Sequence, residues 1–324
     1  MIAAWYEEQG PSRVLILGEM PTSEPAAGEV RVRVSLSSVN PGDTKKRRGW
    51  QGSGMPYPRV VPHSDGAGVV DEVGPGVDPS RVGERVWVFG AQSYRALGTA
   101  AQYVVVPEWQ AVGAPNGVED ALVACLGIPG ITAHRAVFGD GSVEGKTVLV
   151  QGVLGAVGSL AAQLARWNGA TVIGTVRTVG DVDAARERGH DSVVALGDVD
   201  VADQIRAFAS GPVDRIVEVA LSENVELDTA VAGNGTVVAA YGTRSDRPVL
   251  PFWPMLFSNM TLRLLGSDDF PREAKESAAA DLTAAAGSGA LSFPVAPPMP
   301  LADIATAHDR VDHGSRERVT LAIP

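Results

Sequence analysis

The residues best placed to do chemistry lie between 146 and 177. An apolar run, Lys146-Thr-Val-Leu-Val-Gln151, leads into Gly152-Val-Leu-Gly155-Ala-Val-Gly158, then an alanine-rich stretch from Ser159 to Trp167, then Ala170-Thr-Val-Ile-Gly-Thr-Val-Arg177. This order predicts strand, tight turn, helix, strand. The amides of such a turn and of the helix N-terminus form a positive site for a pyrophosphate, and glycine lets the phosphates come close to the backbone. Glycines at this spacing also occur in ordinary loops; the strand before them and the helix after them give the triplet its meaning. The pattern is G-x-x-G-x-x-G where G-x-G-x-x-G is commoner, which points to one subset of dinucleotide-binding domains.

The end of the second strand is the next informative place. Domains specific for NAD carry an Asp or Glu there, on the ribose 2'-hydroxyl. Here the chain reads Gly174-Thr175-Val176-Arg177, and the next carboxylate is Asp181. An arginine suits a 2'-phosphate that an acid would repel, so the expected cofactor is NADPH. The alternative is that Arg177 is a solvated loop arginine.

These residues need elements to hold them. Up to about residue 120 the chain reads as all-β. Glu29-Val-Arg-Val-Arg-Val-Ser-Leu alternates with period two, and Gly68-Val-Val-Asp-Glu-Val, Arg85-Val-Trp-Val-Phe and Gln102-Tyr-Val-Val-Val are further short strands, together suggesting a small barrel-like domain. From about Glu119 the period changes. A helical segment through Cys125 to Val137 is followed by apolar strands at 147 to 151, 171 to 176, 192 to 195, 213 to 219 and 235 to 241, alternating with helices, as in a parallel sheet covered on both faces. After Met260, residues 271 to 286 and Leu301 to Val311 read as helices, and Arg318-Val-Thr-Leu-Ala-Ile as a final strand that returns to the first domain.

Composition narrows the function class. A chain of 324 residues with 45% hydrophobic content suits two domains of an ordinary α/β protein. A formal net charge of -11 opposes nucleic-acid and anionic-membrane partners. The cluster Lys45-Lys46-Arg47-Arg48 is the exception, either a solvated face or a local attraction for an anionic substrate or phosphate. A single cysteine, Cys125, excludes an internal disulfide and a cysteine-rich zinc site, and a reducing, cytoplasmic location is expected. The first residues, Met1-Ile-Ala-Ala-Trp-Tyr-Glu-Glu, do not read as a signal peptide, and no stretch reads as a membrane span.

Four motifs carry a family resemblance over essentially the whole length. They are Ser38-Val-Asn-Pro-Gly-Asp43; Pro62-His-Ser-Asp65-Gly-Ala-Gly-Val-Val with Asp71-Glu-Val-Gly-Pro-Gly-Val; Gly130-Ile-Thr132-Ala; and the turn from Gly152 to Gly158. With these the chain resembles the zinc-free, zeta-crystallin-like quinone oxidoreductases of the medium-chain dehydrogenase/reductase superfamily. The resemblance implies an α/β fold: a GroES-like β-barrel domain over residues 1–120, completed by 262–324, and a Rossmann doubly wound parallel sheet domain over 121–261, with the active site in a cleft. Where zinc-dependent members carry a cysteine, a histidine followed by glutamate, and a third ligand, this chain has Asn40, Ser64-Asp65 and Ile128. No metal is expected.

Without a Lewis acid, hydride transfer needs an acceptor that is already electrophilic, such as a quinone or an α,β-unsaturated carbonyl. Asn40 and Lys45 are the expected donors to the developing oxyanion, with Asp43 beside them; the family often has a tyrosine where Lys45 stands. Equally, Asn40 caps a turn before Pro41, Asp43 and Asp65 hold loops, and His63, Tyr57 and His134 are packing or surface residues. For the cofactor, the resemblance assigns Leu154, Ala156 and Val157, with Gly152, Gly155 and Gly158, to the pyrophosphate. Thr175 and Arg177 are assigned to the adenosine ribose and its phosphate, Thr132 to the nicotinamide ribose, and Asn40 is a further cofactor-binding candidate. Val219, Ala220, Tyr241, Gly242 and Thr243 lie at strand ends, and Leu265-Gly266-Ser267 meets the nicotinamide amide. The segment Phe252 to Phe257 shapes a substrate pocket, a dimer contact or the core. Three functions stand: an NADPH-dependent quinone reductase; an enone reductase, for which Gln51 replaces a proton-donating tyrosine of enoyl-thioester enzymes; or a crystallin-like NADPH-binding protein without turnover. A homodimer, paired through a Rossmann edge strand such as that around Val237, is the expected assembly.

Overall fold

The computed structural model describes residues 1–324 except Ser210. The chain forms two compact units, Met1–Pro129 with Ala279–Pro324, and Gly130–Ala278.

The first unit is built on a seven-stranded sheet around the long strand Glu29–Val39. Its alternation puts Val30, Val32 and Val34 into a valine-rich core with Val70, Val86, Val88, Val104 and Val106. One edge pairs antiparallel with Asp65–Val73. The other edge is shared: residues 29–33 pair with Tyr103–Pro107, and residues 36–39 pair with Val319–Ala322. The C-terminal strand thus completes the N-terminal sheet, and Leu301, Ile304, Ala307, Val319 and Leu321 pack with Ala3, Ala4, Trp5 and Val39 in a second core.

The second unit is a six-stranded parallel sheet. Its order is Val193–Ala195, Thr171–Val176, Thr147–Val150, Val213–Glu218, Ala232–Ala240, Thr261–Leu264. In chain order this is 3-2-1-4-5-6, the doubly wound arrangement, with its switch point between Thr147–Val150 and Val213–Glu218. The inner strands are buried on both faces because their apolar runs are nearly continuous; Thr147–Val150 is buried at every position.

Two features differ from the expectation. The second unit extends to Ala278, past the expected limit at 261, because Thr261–Leu264 pairs parallel with residues 237–240 as a sixth strand. Consequently the strand through Val237 is interior, and the edge at that end is Thr261–Leu264. Among the described residues no helix is long and apolar enough to cross a membrane.

Candidate functional site

The glycine turn lies at the carboxyl end of strand Thr147–Val150 and opens helix Ala156–Trp167, whose N-cap is Gly155. Gly152 has φ +73, a conformation that side chains rarely adopt. A Cβ on Gly158 would come within 2.3 Å of the Gly152 carbonyl oxygen, so the first turn of the helix packs directly on the loop. The turn is therefore closed below and bare above, which fits a pyrophosphate over the helix N-terminus. Leu154, Ala156 and Val157 are half-buried around the exposed Gly155.

The other strand ends converge on this turn. Val219 Cγ1 would lie 3.3 Å from a Cβ on Gly152, and a Cβ on Gly242 would lie 2.3 Å from the Val219 carbonyl oxygen. The Leu221 amide donates to the Gly242 carbonyl at 3.0 Å, and the Leu265 amide to Ala240 at 2.9 Å. Ala220 and Tyr241 are half-buried beside them. Thr243 donates its hydroxyl to Ser222 Oγ at 3.0 Å, and Gly266 and Ser267 follow Leu265 into a short 3-10 turn, Ser267–Asp269. Arg177 is exposed after the second strand and is ion-paired to no carboxylate among the described residues. Thr132 is buried within helix Gly127–Phe138.

Thr175 departs from its expected position at the ribose. It is fully buried, and its hydroxyl accepts from the Gly152 amide at 3.1 Å and donates to Gln151 Oε1 at 2.6 Å. It supports the turn from beneath. Gln151 in turn donates to Asp228 Oδ1 at 2.7 Å, and Glu218 accepts from the Ala220 amide and from Asn224 Nδ2 at 3.1 Å. None of Gln151, Glu218, Asn224 or Asp228 was singled out by sequence. The available signal was a polar residue closing each of two otherwise apolar strands, Val148-Leu-Val-Gln151 and Ile216-Val-Glu218.

In the first unit Asn40, Asp43 and Lys45 fall around one short helix, Pro41–Arg48, but in different surroundings. The buried Asp43 carboxylate accepts the Asn40 amide at 2.7 Å and closes the helix start. Asn40 is 4% exposed; its Nδ2 donates to Asp65 at 2.6 Å and its Oδ1 accepts from Arg318 at 2.7 Å. Asp65 also accepts from the Ile128 amide at 2.8 Å. Burial pushes this carboxyl up to about 6, against the pull of Ile128, Asn40 and Arg318. Lys45 is exposed, with its Nζ 5.1 Å from the centre of the exposed Trp50 ring.

Of the positions compared with zinc ligands, Asn40, Asp65 and the Ile128 amide thus join Arg318 in one hydrogen-bonded cluster. Among the described residues no group of three His, Cys, Asp or Glu side chains could hold a metal ion. His63 is fully buried; its Nδ1 meets Ser37 Oγ at 2.8 Å and its Nε2 meets His308 Nε2 at 2.9 Å. Tyr57 donates to the Tyr94 carbonyl at 2.5 Å, and His134 packs edge-on against Phe138.

Known proteins are similar to this chain over most of its length. The family described as "Alcohol dehydrogenase GroES-like domain" matches residues 26–116, and that described as "Zinc-binding dehydrogenase" matches residues 156–281. The chain is 28% identical to the human quinone oxidoreductase over 312 residues, covering 96% of this chain and 93% of that protein. It is 32% identical to a 2-haloacrylate reductase from Burkholderia sp over 222 residues, 65% of this chain and 63% of that protein. A mycobacterial protein solved as a complex with NADPH superimposes with a TM-score of 0.82 at 25% identity, over 99% of each chain.

Proposed function

Because the chain belongs to the quinone oxidoreductase family of the medium-chain dehydrogenase/reductase superfamily, we propose that it is an NADPH-dependent, zinc-independent reductase whose acceptor is a quinone. NADPH supplies the hydride. The chain's own residues bind and orient it: the amides of Leu154 to Val157 hold the pyrophosphate, Arg177 takes the 2'-phosphate, and the Gly152–Thr175 contact fixes the turn beneath. The segments at Val219, Ala220, Tyr241 to Thr243 and Leu265 to Ser267, with Thr132 and Asn40, serve the nicotinamide end.

What supports the reading is the glycine-lined floor of the second unit, together with the residue types Asn40, Ser64, Asp65 and Ile128 at the compared ligand positions in the first. Asn40 is engaged on both sides, donating to Asp65 and accepting from Arg318. An acceptor at such a site must already be electron-poor. Lys45 is the oxyanion and proton donor in this reading, since its ammonium is exposed on the helix that Asn40 and Asp43 begin. Asn40 and Asp43 fix the start of that helix. The buried free thiol of Cys125 agrees with a reducing, cytoplasmic setting.

A second reading, reduction of the carbon-carbon double bond of an enone, is favoured by the 2-haloacrylate reductase relative. Mixing the protein with NADPH and a panel of quinones and enones, and following the nicotinamide absorbance band, separates the two. Turnover confined to quinones supports the first reading, and turnover confined to enones replaces it with the second. NADPH binding without oxidation by any acceptor would make the chain a crystallin-like binding protein. Activity lost to a chelator and restored by zinc would overturn the metal-free mechanism.

A further inference from the structure

Beneath the cofactor floor, four strand ends of the second unit enclose two carboxyl groups that the reading above does not use. Glu218 ends strand Val213–Glu218, Asp228 lies on helix Leu221–Val231, and both are fully buried. They stand at the end of a chain of hydrogen bonds with one possible direction. The Gly152 amide donates to Thr175 Oγ1, Thr175 to Gln151 Oε1, and Gln151 Nε2 to Asp228 Oδ1. Asp228 Oδ2 is buried and meets no donor, and the Glu218 charge acts on this carboxyl. Two interacting buried carboxyl groups, one with an oxygen that no donor reaches, avoid mutual repulsion when one of them keeps its proton. The Glu218 oxygens are already taken up as acceptors, from the Ala220 amide and from Asn224 Nδ2 at 3.1 and 3.2 Å. The proton therefore belongs on Asp228 Oδ2, donated towards Glu218.

We propose that Glu218 and Asp228 hold one proton between them, and that the protonated pair is a strut positioning both ends of the cofactor floor, so that NADPH binding is linked to the occupancy of that proton. The inference rests on the NADPH reading above. One end of the strut is the Gly152 amide at the phosphate turn, and the other is the Ala220 amide at the loop assigned to the nicotinamide. Loss of the proton to solvent leaves two buried carboxylates in contact, which repel and pull on both ends at once. The surroundings support the retained proton. Burial pushes Asp228 well up, and the Glu218 charge pushes it further; burial likewise raises Glu218. The remaining groups facing the pair are Gln151, Asn224, the Val219 and Ala220 amides and the Tyr241 phenol, itself raised by burial and by Glu218. Among the described residues neither carboxyl is hydrogen-bonded or ion-paired to a lysine or arginine.

The test is the equilibrium dissociation constant of NADPH, measured by calorimetry on the full chain between about pH 7 and 10, for wild type, Asp228→Asn and Asp228→Leu. Above the midpoint of the pair, wild-type affinity should fall by up to about tenfold per pH unit, the limit for one linked proton. Asp228→Asn carries a permanent donor in place of the proton, so its profile should lose this alkaline fall. It should also bind NADPH about tenfold or more tightly than Asp228→Leu, which breaks the strut. Ionisation of the cofactor 2'-phosphate is common to all three proteins, so the difference between profiles isolates the pair. If Asp228→Asn does not fold, Glu218→Gln replaces it, since its amide donates to an ionised Asp228. Parallel profiles for wild type and the amide variant would overturn the inference while leaving the NADPH reading intact. Absence of NADPH binding by the wild type at every pH would overturn both.

Discussion

At the scale of single residues, burial decides which polar groups face the chemistry and which hold the scaffold. Arg177 is exposed and unpaired where the second strand ends, so Arg177→Glu should replace attraction for a 2'-phosphate with repulsion. The ratio of NADPH to NADH affinity should fall by about a hundredfold, from the loss of about 3 kcal/mol of charge-assisted bonding. An unchanged ratio in competition titrations would remove Arg177 from the phosphate site. His63 and His308 behave oppositely, since both are buried with their Nε2 atoms 2.9 Å apart, where two imidazolium rings would set N–H against N–H. Burial, then the His308 neighbour, holds His63 well below the ordinary value; burial, then Arg47, lowers His308 to about 3. With folded values depressed, the unfolded chain takes up protons first. Stability is thus complete above about pH 6.5 and is lost as pH falls, by about 2 kcal/mol per histidine between pH 7 and 5. Asp65, raised to about 6, acts with opposite sign and gains stability over the same interval. Comparison with His308→Gln isolates the imidazole: urea unfolding at the two pH values should show a loss about 2 kcal/mol smaller in the variant. Equal losses would mean that His308 is not held neutral by the fold.

At the scale of elements, the strand, turn and helix around Gly152 divide the work of their glycines. Gly158 has the Gly152 carbonyl oxygen 2.3 Å from where a Cβ would stand, while at Gly155 the nearest atom is 3.3 Å away. Gly158→Ala should therefore unseat helix Ala156–Trp167 and destabilise the unit by about 3 kcal/mol. Gly155→Ala should leave stability within about 0.5 kcal/mol, yet weaken NADPH about tenfold, because the methyl faces the phosphates. Thermal melts and NADPH titrations of the two variants check the contrast; the reverse pattern would misplace the pyrophosphate. This element was legible because its signals agree: an unbroken apolar strand, glycines at fixed spacing, and an alanine-rich helix. Strand Thr261–Leu264 was not legible, since an edge strand has one partner and alternates Thr261 and Arg263 with leucines. The Asn40 cluster was half legible. The replaced ligand positions could be read, but their partner Arg318 lies 278 residues away and is delivered only by the pairing of Val319–Ala322 with Glu29–Val39. Gln151 and Asp228 were hidden for the same reason, because what a buried polar group bonds to is fixed by tertiary packing.

At the scale of the whole molecule, one of the two edges of the parallel sheet, Thr261–Leu264, is the feature that a lone chain leaves unpaired among the described residues. Thr261–Leu264 presents its free backbone groups beside the apolar segment Phe252–Phe257. Leu264 is 72% exposed, Phe257 76%, Trp253 64% and Phe252 61%, a cluster of large apolar side chains within thirteen residues of sequence. An open strand edge flanked by exposed aromatics invites pairing, and a second copy offers the matching edge and patch under two-fold symmetry. Arg263, on the same strand, is drawn to Asp140, which also binds Arg215, so the edge is braced against its own unit. The net charge of -11 sets two copies against each other, so apolar burial rather than surface charge must drive the contact. Sedimentation of the wild type should give twice the mass of one chain, with little dependence on salt. Leu264→Lys with Phe257→Glu should shift the protein to the mass of one chain, because both charges would be buried unpaired. A monomeric wild type at micromolar concentration, or a double variant that stays dimeric, would mean that this edge is not where two copies meet.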